Sequence, residues 1–156
     1  PNLRNGVILS IGVLLIQFML GGWTSANYAA LVCLDFPLCQ GLQNPPAAWF
    51  EAFNFLQAGN PGSPGAPLSF LARATVHMAH RYWALVTIAV LLWTWCRLWQ
   101  AGFSRRWLGL LLALLCLHIG LGVTNVLAYL PLSTAWLHHL VAILLLLSWL
   151  RVLRAC

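Results

Sequence analysis

An all-α integral membrane protein, built as a bundle of four transmembrane helices, is the fold class this sequence predicts. Three observations carry that prediction. The chain is 62% hydrophobic, and only 6% of its 156 residues are Asp, Glu, Lys or Arg, a balance foreign to soluble domains. Four runs, 7–23, 74–99, 107–130 and 133–150, approach the ~20 apolar residues that a span requires. The basic residues, all arginine, fall at alternate ends of those runs.

The first run is the shortest and contains Gln17. No small-residue cleavage site follows it, so it reads as a span and not as a cleaved signal peptide. The chain begins at Pro1 with no initiator Met, which suggests processing or a piece of a longer protein. A long segment, 24–72, separates the first run from the second. Its first part holds Cys33 and Cys39 in CLDFPLC, and its second part, with NPGSPGAP from Asn60, is turn-rich. Between them AAWFEAFNFL suits a short amphipathic helix, with Trp49, Phe50, Phe53 and Phe55 at a membrane interface.

The second run opens with His77, His80 and Arg81, and the third holds His118 in its middle. The fourth, entered after Pro131, holds His138 and His139. By the positive-inside rule Arg4, Arg97, Arg105, Arg106, Arg151 and Arg154 face the cytoplasm, leaving Arg73 and Arg81 on the other side. Both termini are then cytoplasmic, and segment 24–72 with its cysteines is extracytoplasmic. Membrane lipid is the expected surroundings. The net charge of +6 reports this topology, not a nucleic-acid partner, because the arginines form no soluble basic face.

Imidazoles are expensive in hydrocarbon and mark function by default. The second and fourth spans both descend from the outside, so their histidine pairs share a depth. That arrangement suits a metal between two helices, with haem iron the leading candidate. His77 and His80, three apart, share a face. His138 and His139 diverge by about 100°, so one of them faces the core. The plainer reading makes each a wet interfacial residue. His118, which aligns with Gln17 in a weak internal repeat (Gln17 to Gly21 against His118 to Gly122), reads as a helix–helix hydrogen-bonding group. Arg81 fits either a haem propionate or a snorkelling interface arginine. Cys33 and Cys39, outside the membrane with a turn-prone Asp35 and Pro37 between them, suit a disulfide. Two acidic residues, Asp35 and Glu51, form no carboxylate dyad, which excludes hydrolytic chemistry of that kind and favours cofactor chemistry.

The runs GGWTSANYAALVCLDFPLCQG, HMAHR and LGVTNVLAYLPLSTAWLHHLVAILLLL together resemble the C-terminal half of the haem A synthase family, over about residues 16–147. The resemblance implies an oxidoreductase that converts the methyl group of haem O to the formyl group of haem A for terminal oxidases. It implies a haem b cofactor held by two histidines, here His80 and His138, with His139 the alternative to His138. Arg81 and His77 would flank that haem, and Cys33 would pair with Cys39. It further implies the bacterial inner membrane, the substrate haem O, and contact with haem O synthase or oxidase assembly partners. Members have two four-helix halves where this chain has one. Activity is then expected to need the N-terminal half or a homo-oligomer, and no catalytic residue can be assigned. Glu51 matches no motif for the extracytoplasmic glutamate of the other half. The alternative function is a cytochrome b-type electron-transfer subunit that leaves haem unmodified.

Overall fold

The computed structural model describes residues 2–39, 48–54 and 68–156. These form five helices: α1 (Leu3–Ala26), α2 (Trp49–Ala52), α3 (Phe70–Gln100), α4 (Arg105–Leu127) and α5 (Leu132–Ala155). All but α2 are long and apolar enough to cross a membrane. Residues 40–47 and 55–67 of the connection between α1 and α3 lie outside the described residues, and with them Phe55 and the NPGSPGAP stretch.

Local chemistry sets the helix ends. Asn2 caps α1 by accepting from the Arg4 amide at 3.2 Å, and Ser69 caps α3 by accepting from the Ala72 amide at 3.2 Å. Each bond satisfies an amide that has no partner within the helix. The turn after α3 is closed by Phe103 N–H to the Leu98 carbonyl and Gly102 N–H to Trp99, both 3.0 Å. Gly102 sits at φ +75°, a left-handed position that suits a residue without Cβ.

Helices α1 and α4 end in the same closure, with tyrosine in place of that glycine. Tyr28 (φ 52°) and Tyr129 (φ 59°) are left-handed. Ala29 N–H bonds the Thr24 carbonyl (2.9 Å) and Leu130 N–H bonds Asn125 (2.8 Å), each 101 positions after its counterpart. The bonds from Tyr28 to Ser25 and from Tyr129 to Val126 repeat likewise. This closure stops α4 at Leu127, although the apolar run continues to Leu130.

The long helices run alternately up and down. Helix α1 pairs with α3 and α4 pairs with α5, and the ring closes where α1 meets α5 and α3 meets α4. The start of α1 (Asn2, Leu3, Gly6) lies beside the end of α3 (Trp93, Thr94, Arg97). Ser10 donates to Thr94 Oγ1 at 2.9 Å and Thr94 donates to the Gly6 carbonyl at 3.2 Å. Such bonds hold apolar helices together where lipid gives them no hydrophobic reason to associate. The main core, including Leu14, Leu91, Leu98, Leu111, Leu145 and Trp149, fills this half of the bundle. The same end collects Arg4, Arg97, Arg105, Arg106 and Arg154 on the first or last turns of the helices, with Arg151 one turn before the end of α5.

At the opposite end α2 is a single turn, much shorter than its amphipathic stretch. Ala52 is fully buried with Leu68, Ala72 and Val76, and the Trp23 indole donates to the Ala52 carbonyl at 2.8 Å. Phe50 stays 96% exposed, where an interfacial aromatic belongs. Glu51 accepts from both the amide (2.8 Å) and the hydroxyl (2.9 Å) of Ser69. The one glutamate thus anchors α2 to the start of α3.

Candidate functional site: two seated histidines beneath a disulfide loop

His80 and His138 occupy matching seats. Each presents its Cε1–Nδ1 edge to a glycine on the partner helix of its hairpin. A Cβ at Gly21 would stand 3.2 Å from Cε1 of His80, and a Cβ at Gly122 would stand 3.2 Å from Cε1 of His138. Both contacts are tighter than most real Cβ atoms make, so a side chain there would oblige the ring to shift by a few tenths of an ångström, and the imidazoles lie against bare backbone. Gly21 and Gly122 are the same repeat position on α1 and α4.

Nδ1 of His138 lies 3.1 Å from the His118 carbonyl. A carbonyl only accepts, so Nδ1 carries the proton and Nε2 is left with its lone pair. The His118 ring stacks on His138, with centroids 4.0 Å apart and planes at 13°. His118 therefore acts through its carbonyl and its ring face. Its Nδ1 is buried with no partner among the described residues. His139 is exposed and meets His138 edge-on at 6.2 Å.

His80 is met by the amide of Gln17. Gln17 Nε2 lies 3.2 Å from Nδ1, 3.3 Å from Nε2 and 3.3 Å from the carbonyl of His80. His77, His138 and His139 all lie within electrostatic range of His80. Helices α3 and α5, which carry these histidines, stand diagonally across the bundle and make no direct contact with each other.

His77 is buried and engaged at both nitrogens. Nδ1 donates to the Ala29 carbonyl at 3.1 Å, and Nε2 accepts from Arg81 Nε at 3.2 Å. The rest of the Arg81 guanidinium is directed into the cysteine loop. Nη1 lies 2.7 Å from the Asp35 carbonyl, 3.1 Å from Pro37 and 2.9 Å from Leu38, while Nη2 donates to Cys33 at 2.8 Å. A planar fork of fixed donors suits such a cluster of acceptors. Cys33 and Cys39 are disulfide-bonded, with Cα atoms 4.7 Å apart. The pair is buried against Ala74 and Met78 of α3, and the Phe36–Pro37 peptide within the loop is cis.

Among the described residues no three His, Cys, Asp or Glu side chains converge as a metal site. The arrangement offers two imidazoles from two helices, which is the protein's share of a ligand set when a porphyrin supplies the rest. The sequence reading did not assign Gly21 or Gly122 to the site. Their signal lay in the four-residue spacing from Gln17 and His118, which repeats in the two hairpins.

A family model described as cytochrome oxidase assembly protein (COX15-CtaA) matches residues 1–150. The chain is similar to the haem A synthase of Shewanella oneidensis, with 41% identity over 94% of this chain and 44% of that protein. It is similar to the haem A synthase of Nitrosomonas eutropha, with 29% identity over 92% of this chain and 38% of that protein. The haem A synthase of Maricaulis maris is 28% identical over 93% of this chain and 41% of that protein. The chain spans about two-fifths of the length of these relatives, in their C-terminal part. No solved structure matches. With the family model covering nearly all of its length, the chain belongs to the COX15-CtaA family of cytochrome oxidase assembly proteins.

Proposed function

We propose that this four-helix unit is the cofactor-binding half of a haem A synthase, holding a haem b between His80 and His138. The observation that carries the reading is the seating of His138. Its Nδ1 proton is donated to a backbone carbonyl and its ring is stacked and backed by glycine, which presents Nε2 as a fixed lone pair. Iron-ligating histidines have this arrangement, with the second nitrogen donating to a carbonyl or carboxylate that sets tautomer and orientation. His80 shares the seat and the depth. A bound bis-histidine haem supplies one-electron transfer. The residues around it orient the imidazoles and brace the loop above them.

Under this reading His77 and Arg81 are braces, because their nitrogens are already engaged within the protein. Glu51 is committed to Ser69 and Asp35 lies in the disulfide loop, so neither stands beside the histidines as a proton-transfer group. That fits a unit that serves electron transfer, while oxidation of the haem O methyl group proceeds in a second four-helix unit, whether an N-terminal half or another copy. The same lack of a nearby acid favours the second reading, a cytochrome b-type electron carrier. A strain lacking the gene separates the two: a synthase is needed for haem A to form, and an electron carrier is not. The arginine-rich end faces the cytoplasm of a bacterial inner membrane, and the disulfide loop faces the periplasm.

The ligand assignment is tested on the natural full-length protein purified in detergent. The expected spectrum is that of a six-coordinate, low-spin b-type haem, lost in His80→Ala and in His138→Ala but kept in His139→Ala. Full haem retention in both of the first two variants overturns the assignment.

A further inference from the structure

We infer that Arg73 binds a propionate carboxylate of the haem. This deepens the proposal above and rests on its assignment of His80 as an iron ligand. One stripe of α3 faces the bundle interior. His80, Thr87 and Thr94 recur along it every seven residues. His80 is seated against Gly21, and both threonines are buried and bond to carbonyls of α1. Arg73 is the next member of that series, seven residues before His80. Seven residues make two turns less about 20°, so Arg73 shares the face of His80 and stands about 10 Å nearer the outer end of α3.

The Arg73 guanidinium lacks an acceptor. The residue is half-buried, and its Nε is buried with no partner among the described residues. A charged donor shut away from water is costly unless an acceptor meets it, and an arginine that merely snorkels keeps its donors wet. The chain has two carboxylates, and both are placed elsewhere. Glu51 accepts from Ser69, and Asp35 lies in the disulfide loop within electrostatic range of Arg81. Arg81 itself spends Nε, Nη1 and Nη2 on His77 and the loop carbonyls. The orphaned donor of Arg73 therefore calls for an anion from outside the chain. A haem brings two carboxylates on one edge of its ring. The guanidinium fork matches a carboxylate with two parallel hydrogen bonds, and Arg73 presents that fork on the ligand's own helix face.

The test uses the natural full-length protein, reconstituted either with haem b or with its dimethyl ester, which has no carboxylate. The readout is retention of each haem under dilution. Arg73→Gln is expected to weaken retention of haem b about 10-fold, the scale of one hydrogen bond to a charged group, and to leave retention of the diester at the wild-type level. Arg73→Lys, which keeps the charge but not the fork, is expected to lose less with haem b and nothing with the diester. Equal weakening of both haems means that Arg73 merely packs and overturns the inference. Unchanged retention of both overturns it too; loss of tightly bound phospholipid in that variant, read as phosphorus content, then marks Arg73 as a site for a lipid phosphate. If Arg73→Gln does not purify folded, Arg73→Lys decides by the same comparison: a loss confined to haem b supports the inference and any other pattern overturns it. Haem b kept at the wild-type level in His80→Ala refutes the ligand assignment instead, a result distinct from any in the Arg73 series.

Discussion

Glycine at 21 and 122 lets an imidazole rest directly on the backbone, since a methyl group at either position would meet an imidazole carbon at 3.2 Å and press the ring outward. Gly122→Val is therefore expected to push His138 out of its seat, while Gly109→Val, with nothing within 4 Å, leaves the site intact. The Soret-to-280 nm absorbance ratio of the purified variants checks this. A loss of about tenfold or more is expected for Gly122→Val, on the scale of losing an outer-shell partner, and none for Gly109→Val. An unchanged ratio for Gly122→Val would show that His138 does not need the bare backbone behind it. At this scale the histidines were legible because their chemistry is rare in an apolar chain. The glycines were not, since a glycine in a membrane helix has several uses and only the facing ring reveals which one applies. The carbonyl partners of Arg81 were invisible for a related reason: every residue has a carbonyl, and only the folded loop turns four of them towards one guanidinium.

The helices themselves were readable from composition, because a span needs length and apolarity and little else. Their ends were less so. Helix α4 stops short of its apolar run because Tyr129 and Leu130 both turn left-handed, at a cost of about 1–2 kcal/mol per residue, and nothing in the letters Tyr-Leu announces it. The short helix α2 shrank to one turn because its register is set by Trp23, Ala52 and the Glu51–Ser69 pair, contacts between distant parts of the chain. Pairing of α1 with α3 also runs through side chains that a hydropathy scan discounts. In a Ser10→Ala, Thr94→Val double-mutant cycle, the coupling is expected to be about 0.6 kcal/mol, the usual worth of an interhelical hydrogen bond in a bilayer. Unfolding of the purified protein in mixed micelles measures it. Zero coupling would make the Ser10–Thr94 contact incidental.

For the whole molecule, the distribution of charge gives the topology a direct test. Six arginines gather at the end where α5 terminates, and Cys156 lies there exposed. In a Cys96→Ser, Cys116→Ser background, a membrane-impermeant maleimide should label Cys156 in inside-out vesicles and not in intact spheroplasts. Labelling in spheroplasts would reverse the proposed orientation and put the disulfide loop in the reducing cytoplasm. The alternating arginines put this orientation forward from the sequence alone, whereas the shared closure of α1 and α4 emerged only when their backbones could be compared. Arg81 adds a mechanical property to that architecture. Its guanidinium grips the loop through four carbonyls and also donates to His77 Nε2, so the loop is lashed to the turn of α3 that carries His77. A pull on the loop is borne by that turn, and the loop cannot lift from the bundle without breaking those bonds.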